Sequence, residues 1–280
     1  MFKTTNTIKE GSFATIQKGI FEGIPAVRKS YLEGQGKRYR TEIQNLDCMR
    51  NVSFGNFVDR ISEDPTTLSL VYPFINGANG YEALETQDPE VVLSRIFESI
   101  VIEGESLKYS SNLPFSFIPE GYKTENEHFF YSRLLSNQGD LTSRQRLELR
   151  KLIALNPPLI HGRYDPELSN FMVTPDDVFS IDYESMTLQD PLFAFAYSLV
   201  HLRLDHPGKI EPERFLELAK GSISGIFCSP GEFEDRMRIN IAEVTGYLFL
   251  ELKREILQGN GNPELEGKIN KLESILNDTI

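Results

Sequence analysis

The chain has 280 residues, 40% of them hydrophobic and 25% charged. That balance is enough to bury a core, and it excludes disorder along the whole length. Acidic residues outnumber basic ones 41 to 29, a formal charge of -12, and a field of that sign repels phosphate backbones and anionic lipid, so neither nucleic acid nor a membrane is an expected partner.

Residues 1–76 read as a strand-rich unit. Ile8 to Gly19 has a turn-prone centre at Glu10-Gly11-Ser12, and Gly23 introduces a second run, Ile24 to Ser30. After Gly34-Gln35-Gly36, Tyr39, Ile43, Leu46 and Met49 recur at helical spacing. Asn56 to Ile61 and Thr67 to Phe74 are two further expected strands. From 77 to 280 helical patterns dominate: Pro89 to Glu103, Leu141 to Leu155, Pro191 to Leu204, Pro212 to Ile223, Gly231 to Leu257 and Pro263 to Leu276. A small island of apolar segments interrupts them at Leu159-Ile160, Asn170 to Val173 and Val178 to Ile181. Ser110 to Lys123, with two prolines, reads as an irregular connection. A β-rich unit followed by a larger helical one implies a ligand cleft between them.

Cys48 and Cys228 are too few for a structural zinc site and do not make a disulfide framework. The start, MFKTTNTIKEGSF, lacks an apolar signal core, and the greasiest run, Leu192 to Leu199, is too short to span a bilayer. A cytoplasmic protein is expected; nothing in the sequence fixes its oligomeric state.

Four elements carry chemistry. In HGRYDPELSN, Asp165 and Asn170 stand five apart on a loop, where a carboxylate can accept a hydroxyl proton while an amide oxygen ligates Mg²⁺. Asp182 ends the apolar run Val178 to Ile181, positioned to hold the same ion. Gly11 and Ser12 form a turn whose backbone N–H groups can approach phosphates. The pair Arg28-Lys29 ends a strand and is followed by Glu42 on a helix, the arrangement of a tethered phosphate-binding cation. Only one of the two cations can enter the cleft, because neighbouring strand residues face opposite ways, and gapless counting from the hairpin favours Lys29. Asp190, ahead of Pro191, reads as a helix cap. His128, His201 and His206 form no metal spacing, and Phe129-Phe130-Tyr131 is a candidate acceptor-pocket lining or simple packing.

In this order the elements resemble the protein-kinase-like superfamily, in particular its aminoglycoside phosphotransferase and choline kinase branch. Lys9 to Gly19 is similar to the family's G-x-G-x-F-G-x-V-x-x-G loop with Lys9 and Ala14 in place of two glycines. Pro25 to Lys29 resembles its V-A-V-K strand, and Leu70 to Gly77 the hinge that pairs with adenine, with Tyr72 and Phe74 as nucleotide contacts. Asp165 to Asn170 keeps the D-x-x-x-x-N interval of the catalytic loop. Ile181 to Glu184 and Gln189 to Ala196 resemble the metal strand and the D-P segment after it. The likeness runs from about Ile8 to Leu202.

It implies an α+β, two-lobed protein-kinase-like fold, with a small β-rich N-lobe holding one helix and a larger, mainly helical C-lobe. It further implies an ATP- and Mg²⁺-dependent phosphotransferase acting on a small hydroxylated substrate: an aminoglycoside, a choline-like alcohol or a sugar. Two departures stand out. His161-Gly162 is two residues early, so either the loop bulges or Arg163 takes the usual histidine position, the reading that keeps Asp165 in register. The altered glycine loop leaves a second functional reading, a pseudokinase that binds a nucleotide or partner without turnover. A protein or lipopolysaccharide acceptor is a third. The expected acceptor-contacting segments, Pro89 to Phe130 and Pro212 onward, carry no decodable motif.

Overall fold

The computed structural model describes residues 2–52, 56–108, 113, 115, 142–144, 146–147, 150–151, 159–223, 225–260 and 263–279. Most of the 110–123 connection, His128, the aromatic cluster at 129–131 and most of the expected 141–155 helix lie outside the described residues.

The N-terminal unit is a five-stranded antiparallel sheet with one helix against it. Strands β1 (Phe2–Glu10), β2 (Ala14–Phe21) and β3 (Ile24–Tyr31) form a meander, and β5 (Ser69–Pro73) pairs with β3 on one side and β4 (Ser62–Asp64) on the other. The β2–β3 register runs unbroken from Ala14↔Tyr31 to Phe21↔Ile24, which sets Lys29 opposite Ile16 and, across the sheet, opposite Leu70. Helix α1 (Gly36–Arg50) buries Tyr39, Glu42, Leu46 and Met49, a three-four repeat that aims one carboxylate into the sheet with the apolar side chains. The expected strand at Asn56 to Ile61 does not form. Phe57 makes a single parallel bridge to Ser180 and stacks edge-on to Tyr183, while the free side of β5 is taken by β4.

A short strand β6 (Ala78–Asn79) leads into helix α2 (Gly80–Thr86), started by an Asn79/Glu82 capping box. Helix α3 (Pro89–Lys108) follows. The island comprises β7 (Ile160–Arg163), a 3₁₀ turn at Leu168–Asn170, β8 (Phe171–Val173), β9 (Val178–Ser180) and β10 (Met186–Gln189), with β10 paired to β7 and β8 between β6 and β9. Helices α4 (Phe193–Asp205), α5 (Pro212–Ile223), α6 (Pro230–Glu255) and α7 (Pro263–Thr279) complete the larger part. Phe193 to Leu202 are all buried, so α4 is a central helix, packed against α6 and α7. Among the described residues no helix is long and apolar enough to cross a membrane.

Two cores result. The larger joins α2 through α7 with β8 and β9. The other runs from the N-terminal sheet (Tyr31, Leu70) and α1 (Leu46) into Tyr183 and Met186, beyond Asp182. Asn45, fully buried on α1, donates from Nδ2 to the Tyr183 carbonyl at 2.9 Å. The helix of the small unit is thereby fastened to the segment that carries Asp182.

Candidate active site

Strand alternation decides between the two cations. Lys29 is 8% exposed, and its Nζ lies 2.9 Å from Asp182, 3.0 Å from Glu42 and 3.1 Å from Glu184. Arg28 points to the other face, donating to Gln17 at 2.6 Å and lying over the Phe2 ring; it is not a cleft residue. Burial pulls the Lys29 ammonium down, but Asp182, Glu42 and Glu184 more than offset this and hold its pKa well above the ordinary lysine value. Glu42 is 1% exposed and accepts hydrogen bonds from the hydroxyls of Tyr31 and Tyr72. Lys29, the helix carboxylate and the strand-end aspartate therefore form one charged knot between the two units.

The segment 165–170 and the end of β9 converge beneath that knot. Asn170 donates from Nδ2 to the Asp165 carbonyl at 2.8 Å, and its own carbonyl accepts from the Ile181 N–H at 3.0 Å. Asp182 adopts φ +64°, a left-handed conformation that aspartate tolerates better than most residues, and its carboxylate stays solvent-accessible. Burial would raise the Asp182 carboxyl, but Lys29 and Arg163 hold it below the ordinary value, so it is charged at neutral pH. The Asp165 residue is exposed. Partial desolvation of its carboxyl, then Glu167 and Asp182, raise it to about 6, while the Tyr197 hydroxyl donates a hydrogen bond to it.

An ionised carboxylate and an amide, on segments tied by the hydrogen bond from the Ile181 N–H to the Asn170 carbonyl, offer the hard oxygen donors that Mg²⁺ takes. Among the described residues no group of three His, Cys, Asp or Glu side chains is close enough to hold a metal alone.

Other expected residues play different parts. Gly11 uses its N–H on the Ala14 carbonyl at 2.9 Å, closing the β1–β2 turn, so it presents no donor to a phosphate; Ser12 beside it is exposed. Tyr72 turns its hydroxyl inward to Glu42 at 2.8 Å, and thus braces the helix carboxylate instead of meeting a base. Phe74 gives its N–H to the Pro25 carbonyl at 3.2 Å and lies under Lys18, so its backbone donor is also engaged. His161 and Arg163 both lie in β7, His161 against the Phe115 ring and Arg163 as its last residue, next to the 165–170 segment. Asp190 is not the cap expected of it: α4 has Leu192 at its N-cap with no side-chain cap, and Asp190 accepts from the Leu192 N–H in the preceding turn and pairs with the buried Arg236 at 2.7 Å. His201 is buried against Tyr197, yet its Nδ1 meets Glu167 at 3.2 Å.

Glu103 and Glu184 also border this cluster, although no motif in the sequence marks either as a site residue. Glu184 clamps Lys29 and Arg38, and Arg38 in turn covers the Phe13 ring at the hairpin tip. Glu103 falls on the buried stripe of α3, between Ile100 and Leu107, and an acidic residue at such a position was the available signal.

No protein-family model matches the chain, and no curated protein matches it by sequence. Solved structures do. A choline/ethanolamine kinase family protein from Mesorhizobium loti has a TM-score of 0.63 at 16% identity, covering 99% of this chain and 88% of that one. The choline kinase LicA from Streptococcus pneumoniae has a TM-score of 0.63 at 12% identity, over 98% of this chain and 94% of its own. A thermostable variant of aminoglycoside phosphotransferase APH(4)-Ia, crystallised with ADP and hygromycin B, has a TM-score of 0.63 at 12% identity, covering 99% and 94%. The chain has the two-lobed, kinase-like fold of the choline/ethanolamine kinases and aminoglycoside phosphotransferases, the branch its motifs resemble.

Proposed function

We propose that the protein is an ATP- and Mg²⁺-dependent phosphotransferase that moves the γ-phosphoryl group to a hydroxyl of a small molecule. The observation that carries this reading is the knot around Lys29: one protonated amine within 3.1 Å of Glu42, Asp182 and Glu184. Lys29 is the cation for the α- and β-phosphates, and Glu42, braced by Tyr31 and Tyr72, fixes its position. Asn170 and Asp182 are the residues that would hold Mg²⁺, which when bound neutralises charge on the phosphate oxygens.

Asp165 orients the acceptor hydroxyl and takes its proton as the new P–O bond forms; the bond from phosphorus to the β,γ-bridging oxygen breaks, and ADP leaves. A carboxyl at about 6 is ionised at neutral pH and still basic enough to share that proton. Glu167, Tyr81 and Tyr197 surround Asp165, which favours a neutral or cationic hydroxyl compound over an anionic one. The structural neighbour crystallised with hygromycin B accords with that class. A second reading, a nucleotide-binding module without turnover, draws support from the closed hairpin tip, where the Gly11 donor is already engaged.

Phosphate transfer from γ-labelled ATP to pooled aminoglycosides, amino alcohols and sugars tests the proposal. Transfer is expected for the wild type and is lost, by orders of magnitude, in Asp165→Ala, while nucleotide binding persists. Nucleotide binding with no transfer to any pool supports the module instead.

A further inference from the structure

Glu103 on α3 and Arg163 at the end of β7 are 5% and 3% exposed, an ion pair almost inside the core. Removing two charges from water costs several kcal/mol each, and apolar residues of similar volume often stabilise such a site better. The pair's other contacts give it a different use. Arg163 donates from Nε to Glu103 at 3.2 Å, and from Nη1 both to the Asn170 carbonyl at 3.1 Å and to the Ile181 carbonyl at 3.3 Å. Glu103 accepts on its second oxygen from Ser180 at 3.0 Å and Tyr183 at 3.3 Å. A single guanidinium nitrogen thus bridges the backbone of Asn170 to the residue before Asp182. The carboxylate on α3 gathers the residues on both sides of that aspartate, whose backbone is held at φ +64°.

We infer that Glu103 and Arg163 are positioning residues that set the spacing and orientation of Asn170 and Asp182, the two oxygen ligands of the proposed site. Glu103 fixes the guanidinium, and the guanidinium fixes the two segments relative to each other. This rests on the phosphotransferase reading for its functional consequence, but not for its structural one.

The double variant Glu103→Leu/Arg163→Met removes both charges together, so neither is left buried alone, and it takes their partner from the Ser180 and Tyr183 hydroxyls and the Ile181 carbonyl. It is expected to stay folded. Hydrogen exchange of residues 165–171 and 178–184 is expected to rise about tenfold or more in both segments together. The gain in ADP affinity on adding Mg²⁺ is expected to fall about tenfold or more, with affinity in EDTA unchanged. Wild-type exchange in both segments overturns the inference, whatever the activity. Should the double variant not fold, Glu103→Gln keeps the shape and removes the charge; a smaller rise in the same two segments is expected, and no rise overturns the inference. A wild type that binds no nucleotide defeats the phosphotransferase reading, and the exchange result still decides the role of the pair.

Discussion

At Asp165 the demands of chemistry and of stability are opposed. Its carboxyl titrates at about 6 in the fold, above the ordinary aspartate value it would regain on unfolding. Between those two values the folded state binds more protons, so raising the pH through this window lowers stability, and above about pH 6 the ionised group penalises the fold. Replacing Asp165 with Asn is therefore expected to raise Tm at pH 8 and to leave it unchanged below pH 4, while transfer is abolished. Melting curves at both pH values check this; no gain at pH 8 would show that the carboxylate is not under strain. The wild-type transfer rate is expected to climb as pH rises through about 6. The D-x-x-x-x-N interval made Asp165 and Asn170 legible in the sequence, because this chemistry constrains spacing along one loop. Glu103 and Arg163 are 60 residues apart and meet only across the fold, so no local interval announced them.

Among the elements, α1 and α5 were readable because each buries one stripe at helical spacing: Tyr39, Leu46 and Met49 in the first, Phe215, Ala219 and Ile223 in the second. β1 was read only from Ile8, since it is an edge strand exposed on both faces and has no apolar alternation to betray it. β10 was missed because its partner, β7, is remote in sequence. Helix α2 has a legible start in Asn79 and Glu82, but only seven residues of pattern after it. The joint between α1 and the segment that carries Asp182 and Tyr183 is the element-scale contact with the clearest consequence. Asn45→Ala removes the donor to the Tyr183 carbonyl and leaves a buried acceptor unpaired, at a cost of about 1–3 kcal/mol. Denaturant unfolding is expected to give a loss in that range and nucleotide titration a weaker complex; an unchanged midpoint would remove this hydrogen bond from the account.

Across the whole molecule, the charge of -12 and the charged knot serve different ends. The net charge disfavours polyanions such as nucleic acid, whereas under the proposed function the protonated Lys29 and the ionised Asp182 meet a ligand that brings both anionic oxygens and a divalent ion. The segment before Asp182 hydrogen-bonds to the Asn170 backbone, and the Asp182 carboxylate reaches Lys29 across from the sheet, so the two units share one site. That convergence is the central claim, and thermal stabilisation by ATP tests it most directly, measured in Mg²⁺ and in EDTA on the wild type and on Asp182→Asn. A ligand that binds only the folded state raises Tm in proportion to its occupancy. The account predicts a larger Tm rise with Mg²⁺ than with EDTA in the wild type, and no difference between the two in the variant. Equal Tm values for the wild type with and without Mg²⁺ and ATP would contradict it.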